Sequence, residues 1–330
     1  MAFVEAADLH VTYHPRKAPE VRALDGLSLD VPAGTVFGLL GPNGAGKSTT
    51  VKVLTTLIRA DSGTARIDGI DVREHPDEIR RRIGVSGQYA AVDENLSAIE
   101  NLDMVGRLYH LTRGDSRRRA DELVELFDLG EAKNRPVKGF SGGMRRRIDL
   151  ACALVIAPAV LFLDEPTTGL DPRSRLGMWE VIERLASTGT TVLLTTQYLE
   201  EADRLADDIA VIDRGKVIAR GTADALKARI GGRRVQLTLV SPDDLPVARA
   251  ALERVGTGTP EVSAEGRGLS VTVAEGAAEL SRVLGELESA GVALYDAGMQ
   301  RPTLDDVFLR LTGHMAADED GQETEGRRAS

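Results

Sequence analysis

The sequence predicts an α/β fold built on a parallel sheet, followed by a small α+β domain. Three observations carry this. Short apolar runs, VFGLL (36–40), VLFLD (160–164) and VLLTT (192–196), are separated by long polar-apolar segments of helical period. The first run leads directly into a glycine-rich turn, GPNGAGKS, that opens a helix. After Gly231-Gly232 the text becomes strand, helix, strand, strand, helix, strand.

In chain order, FVEAADLHVTY and VRALDGLSLDV alternate apolar and polar residues and read as hairpin strands. VFGLL is a buried strand, and STTVKVLTTLI is the helix after the glycine turn. Residues 77–135 are rich in Arg and Glu and are expected to be mostly helical. A long helix starts at Gly142, another at Arg173, and DRGKVIARG (213–221) reads as a hairpin. The expected organisation is a nucleotide-binding domain over 1–230, with a helical subdomain at about 90–155, a small domain over 231–314, and a disordered tail over 315–330. In the small domain VQLTLV, PEVSA, LSVTV and VALYDA are strands, and the order β-α-β-β-α-β predicts a ferredoxin-like arrangement. A last helix, TLDDVFLRLTGH, places Leu304, Val307, Phe308 and Leu311 on one face.

Composition narrows the function classes. The 330 residues are 42% hydrophobic and 28% charged, as expected for a soluble two-domain protein. A formal net charge of −10 argues against a nucleic-acid partner. No run approaches the ~20 apolar residues of a membrane span, and the N-terminus lacks the pattern of a secretory signal. The lone cysteine, Cys152, implies a reducing compartment and is expected to be a small core side chain on a helix.

The chemistry concentrates in two motifs. GPNGAGKS, comprising Gly41, Pro42, Asn43, Gly44, Ala45, Gly46, Lys47 and Ser48, fits G-x-x-x-x-G-K-[ST] and is followed by Thr49. Glycines let backbone N–H groups turn inward around phosphates, and the helix N-terminus adds a favourable dipole. Lys47 is expected on the β- and γ-phosphates and the Ser48 hydroxyl on Mg²⁺. VLFLDEP supplies the second half: a buried strand ends on Asp164, placed to hold Mg²⁺, and on Glu165, placed to polarise an attacking water. Two carboxylates ending a strand also fit a helix cap.

FSGGMRRRIDLA, Phe140–Ala151, resembles the signature motif of ATP-binding cassette (ABC) proteins and lies between the other two motifs, as in that family. The resemblance covers about residues 3–225. It implies a P-loop NTPase fold with an antiparallel β subdomain and a helical subdomain, ATP and Mg²⁺ as cofactors, and a homodimer. In that dimer Ser141, Gly142 and Gly143 serve the nucleotide held by the other subunit. By the same resemblance Gln88 is the glutamine that senses Mg²⁺ and γ-phosphate, Asp171 in TGLD belongs to the loop after the second carboxylate, and the Tyr13 ring lies against adenine. For Tyr13 a surface hairpin tyrosine is the competing reading, and for Gln88 a loop amide.

Phe140 and Met144 depart from the usual Leu-Ser-Gly-Gly-Gln. Gln197, in TTQYLEEAD, falls where most of the family has a histidine, and the five histidines, at 10, 14, 75, 110 and 314, lie elsewhere. The glutamine amide donates a hydrogen bond but takes up no proton near neutral pH. Gln197 is therefore a candidate γ-phosphate donor, or a polar cap on the next helix. TTQYLEEAD, SGGMRRR and PTLDDVFLRLTGH together resemble the daunorubicin-resistance-type ATP-binding subunits of bacterial drug exporters. That implies an ATPase on the inner face of the membrane, held there by a separate integral-membrane permease. The alternatives are a non-transport cassette ATPase and a regulatory subunit impaired in hydrolysis.

Overall fold

The structure is a computed structural model that describes residues 2–16, 19–87, 92–230, 233–263, 265–274, 277–300 and 302–313. It divides into two compact units, the first running to Ala223 and the second spanning Asp224–Gly313. This division falls inside a helix, whereas the expected boundary at Gly231-Gly232 and the tail at 315–330 lie outside the described residues.

The first unit begins with strands β1 (Ala2–Tyr13) and β2 (Val21–Pro32), paired antiparallel. A register shift between Ala6 and Leu9, with Asp8 at φ 53, moves the buried set from Val4 and Ala6 to Leu9 and Val11. A single inserted residue does this because side chains alternate with period two. Strand β3 (Val36–Leu40) leads to helix α1 (Lys47–Leu54). Strands β4 (Ser62–Ile67) and β5 (Ile70–Asp71) then complete an antiparallel sheet of order β2-β1-β4-β5. This hairpin was not expected from the sequence.

Residues 76–126 hold helix α2 (Pro76–Arg80), strand β6 (Ile83–Ser86), helix α3 (Ala98–Leu108) and helix α4 (Arg113–Leu126). The segment is mostly helical, as expected, but it also holds strand β6, which was not expected from the sequence. This is a four-residue edge strand beside Arg-rich neighbours, too short to show a period. Ser97 caps α3 in a full capping box with Glu100.

Helix α5 (Gly142–Ala153), strand β7 (Val160–Asp164), helix α6 (Pro172–Ser187), strand β8 (Thr191–Thr196), helix α7 (Leu199–Leu205), strands β9 (Asp208–Asp213) and β10 (Lys216–Gly221), and helix α8 (Ala223–Ile230) follow. The second sheet has the order β10-β9-β3-β8-β7-β6, parallel except for β10. Every residue of β3, β7 and β8 is buried, as parallel strands covered on both faces require. On one face Phe37, Leu39, Phe162 and Leu193 pack with β1, β2 and α1; on the other Leu161, Leu163 and Leu194 pack with α3 to α6. Parallel pairing brings the carboxyl ends of β3, β7 and β8 to one edge, where ligands of open α/β sheets bind.

In the second unit, strand β11 (Arg234–Leu239), helix α9 (Leu245–Val255), strands β12 (Glu261–Val262) and β13 (Gly268–Thr272), helix α10 (Ala277–Ser289) and strand β14 (Leu294–Gln300) form an antiparallel sheet of order β12-β13-β11-β14. This is the ferredoxin-like arrangement expected from the sequence. Val235, Leu237, Val271, Leu252 and Val283 share its core. Helix α11 (Leu304–Thr312) is capped by Thr303 and ended by Gly313 in the left-handed region; Leu304, Val307 and Phe308 are buried, whereas Leu311 is exposed.

Candidate nucleotide site

The turn between β3 and α1 is a close-packed loop. A Cβ on Gly41 would come within 2.4 Å of the Ile212 carbonyl oxygen, and one on Gly46 within 2.6 Å of the Ala23 carbonyl oxygen. Gly46, at φ 111, is also the N-cap of α1, so conformation and space both demand glycine there. Ala45 is buried, whereas Asn43 and Gly44 are exposed and Pro42 and Thr49 half-buried. The first turn of α1 thus offers N–H groups at an accessible rim, suited to an anion.

Five side chains meet below this rim: Lys47, Ser48, Asp164, Glu165 and Thr195. Lys47 is 4% exposed; its Nζ donates to the Gly41 oxygen at 2.6 Å and the Pro42 oxygen at 3.1 Å. It also lies 4.0 Å from Glu165 Oε1. Burial pushes the Lys47 ammonium below its ordinary value, and Glu165 and Asp164 push it back up. Ser48 Oγ donates to Asp164 Oδ1 at 3.1 Å, and Thr195 Oγ1, from β8, donates to the same oxygen at 2.5 Å. Register explains the meeting, since Asp164 pairs with Thr195 across β7 and β8. Glu165 has φ 51, a strained conformation for a side chain of its size. Its N–H donates to the Thr195 carbonyl oxygen at 3.0 Å, and Thr168 Oγ1 donates to Glu165 Oε2 at 3.3 Å. These carboxylates end a strand without capping a helix: the next helix, α6, takes its cap from Asp171.

Gln197 follows β8. Because Leu40 pairs with Thr196, Gln197 continues β8 at the level where Gly41 continues β3. It is half-buried. Tyr198 holds the N-cap position of α7, directly after Gln197. The Tyr13 hydroxyl stands 3.5 Å from Thr49 Oγ1, so the ring lies next to the first turn of α1. Gln88 lies outside the described residues.

Ser141 caps α5, its Oγ accepting from Met144 N at 3.3 Å; Ser141 and Gly142 are exposed. Phe140 is buried and Met144 half-buried, both against the helical-side core. The two departures from the usual signature are therefore packing residues, and the serine-capped turn between them is intact. Gly143 has no room for a Cβ, which would lie 2.5 Å from Ser174 Oγ. Asp171 uses both carboxylate oxygens on Ser174, accepting from its N at 3.0 Å and its Oγ at 2.6 Å, and these bonds hold its carboxyl below the ordinary range.

Three buried charged groups, Glu201, Arg146 and Asp149, were not singled out from the sequence. Glu201 accepts from Thr167 Oγ1 at 2.8 Å and from Trp179 Nε1 at 3.0 Å; burial pushes its carboxyl up. Arg146 lies among α5, β7 and the end of β6. Its signal was present as an i,i+3 charge pair with Asp149 on the buried side of α5. Cys152, half-buried on α5, has its thiol pushed up to about 12 by burial and by Asp149, as expected of an inert core side chain.

A parallel sheet with a phosphate loop after β3, paired acidic residues at the end of β7, one strand removed across β8, and a serine-capped helix between them in sequence define a nucleotide-hydrolysing cassette. The ABC transporter family matches residues 24–168, and the C-terminal domain of DrrA1-3-like ATP-binding proteins matches 221–312. Daunorubicin resistance ATP-binding protein DrrA2 of Streptomyces coeruleorubidus is 52% identical over 304 residues, covering 92% of this chain and 94% of the relative. Daunorubicin/doxorubicin resistance ATP-binding protein DrrA of Streptomyces peucetius is 50% identical over 302 residues, covering 92% and 91%. Among solved structures, a dimeric ATP-binding cassette in a post-hydrolysis state bound to ADP and Pi superposes with TM-score 0.61 at 25% identity, covering 66% of this chain and 98% of that one. The chain belongs to the ABC transporter family, in the branch of the daunorubicin-resistance ATP-binding proteins. It is a nucleotide-binding ATPase, the energising subunit of an exporter; the non-transport and hydrolysis-impaired alternatives are not favoured. No helix among the described residues is long and apolar enough to cross a membrane.

Proposed function

We propose that the chain powers efflux of a drug-like or antibiotic-like compound through a separate integral-membrane permease, working as a head-to-tail homodimer with two Mg²⁺-ATP in its interface. The observation that carries this reading is the meeting of Lys47, Ser48, Asp164 and Glu165 at the carboxyl edge of the sheet. The resistance proteins named above supply the cargo class. The permease would hold the chain on the inner face of the membrane.

The donors fit Mg²⁺. Ser48 Oγ and Asp164 Oδ1 are hard oxygens 3.1 Å apart, and Mg²⁺ commonly takes one or two protein oxygens with phosphates and waters completing its shell. Gln88 would join them. When bound, the ion neutralises charge on the β- and γ-phosphates.

Residues 41–49 cradle the phosphates through N–H groups and Lys47, and Tyr13 supports the adenine. Glu165 accepts a hydrogen bond from the water in line with the γ-phosphorus; the new O–P bond forms as the β–γ bridge breaks, leaving ADP and phosphate. Gln197 donates to the γ-phosphate without taking the proton, so proton transfer falls to Glu165 and water. Ser141, Gly142 and Gly143 bind the γ-phosphate held by the partner subunit. Asp171 fixes the turn after Glu165. The second unit is an accessory domain that supports dimerisation or coupling to the permease.

Glu165→Gln tests the reading. It should bind ATP, hydrolyse it far more slowly, and shift to twice the monomer mass by light scattering when ATP and Mg²⁺ are added. A variant that hydrolyses ATP at the natural rate, or stays monomeric even beside the permease, overturns it.

A further inference from the structure

Arg146 stands on the buried side of α5, just past the Ser141 turn, and its guanidinium is spread over three segments. Nε donates to the Pro166 carbonyl oxygen at 2.8 Å and Nη2 to the Asp164 carbonyl oxygen at 3.3 Å. Nη1 donates to the Gly87 carbonyl oxygen at 2.5 Å and to Asp149 Oδ2 at 3.3 Å. The side chain is 10% exposed. Asp149 is fixed in turn by Ser86 Oγ at 2.7 Å.

The two carbonyls that Arg146 holds on the β7 side flank Glu165. That residue has φ 51, which a side chain of its size adopts only where its surroundings impose it. The carbonyls of the residues on either side of Glu165 are thus held by one planar cation, while Glu165 itself lies 4.0 Å from Lys47. A planar fork of five donors suits this task, and a point-charge ammonium does not.

We propose that Arg146 is a positioning residue for hydrolysis. It holds Glu165 in its strained, aimed conformation and ties it to the same helix whose N-terminal turn, Ser141–Gly143, faces the partner's nucleotide. It also fixes the end of β6 at Gly87, immediately before Gln88. The state of one nucleotide site is thereby transmitted to the turn that completes the other. This rests on the assignment of Glu165 and Ser141 made above.

The test uses the full-length chain with its permease and four variants: Arg146→Lys, Arg146→Met with Asp149→Asn, Glu165→Gln, and Arg146→Lys with Glu165→Gln. The Asp149→Asn change avoids a buried unpaired carboxylate, which would destabilise the fold on its own. Arg146→Lys should lower kcat about tenfold or more, the scale of one lost charge-assisted hydrogen bond, with the Kd for Mg²⁺-ATP within about twofold. Arg146→Met with Asp149→Asn should lower kcat at least as far. On the Glu165→Gln background Arg146→Lys should cost nothing further, because both act at one step. Unchanged kcat in either Arg146 variant, additive losses in the combined variant, or parallel loss of ATP binding and kcat would overturn the proposal. Natural turnover by Glu165→Gln alone would instead overturn the assignment beneath it.

Discussion

Lys47 Nζ and Glu165 Oε1 stand 4.0 Å apart, each supplied by a different strand-to-helix connection of the same sheet. The cation meant for phosphate and the carboxylate meant for water therefore share one small volume, and each biases the other. Lys47→Ala removes the cation and leaves the carboxylate facing incoming phosphate alone. The Kd for Mg²⁺-ATP should rise roughly 10- to 100-fold, the equivalent of a charge-assisted contact of about 1.5–3 kcal/mol. Titration with a fluorescent nucleotide measures this, with circular dichroism confirming the fold. Equal affinity would make the loop a structural turn only.

Gln197 should matter to rate more than to binding. Gln197→Ala is expected to slow hydrolysis about tenfold or more by removing a donor to a charged group, with the fold unchanged. Gln197→His should retain part of the activity. Because an unperturbed imidazole titrates near about 6.5, that variant should also gain a rate change there that the natural protein lacks. ATP turnover across roughly pH 5.5–8.5, a range that brackets this titration, compares the three. An alanine variant as fast as the natural protein removes Gln197 from the site.

Gly143 and Ser174 make a steric lock between α5 and α6. In Gly143→Ala the new methyl would sit 2.5 Å from Ser174 Oγ, and that hydroxyl is held by Asp171 Oδ2 at 2.6 Å. Alanine gains about 1 kcal/mol of helix propensity, whereas forcing a group into filled space costs about 1–3 kcal/mol. The net change should be a lower unfolding midpoint and slower turnover. Adding Ser174→Gly should restore part of both. If the double variant is no better than Gly143→Ala, the contact is not the cause.

Much of the fold was legible because its strongest signals are local. The phosphate loop, VLFLDEP and SGG are contiguous, and each declares its backbone conformation through glycine or through a run buried on both faces. The β4–β5 hairpin was missed because β4 buries only Ala65 and Ile67. Its turn, Asp68-Gly69 with φ 52 and 76, is nonetheless the dipeptide that favours a tight hairpin, and that signal was available. Arg146 was hidden by its neighbours: in a run of three arginines only helical phase says which one is buried, and only the structure says what it holds. The strain at Glu165 leaves no mark in the sequence, since its residue type is chosen for chemistry and not for that conformation.

The second unit has an apolar cluster of its own, buried from Val235 to Val292, with Leu294, Ala297 and Met299 packed against it. A segment that satisfies its own interior can be exchanged between genes without leaving a hole behind in itself. The matches to two separate family models, over 24–168 and 221–312, fit such an exchange. The two parts of such a protein can descend from different ancestors, and their histories are best traced on separate trees.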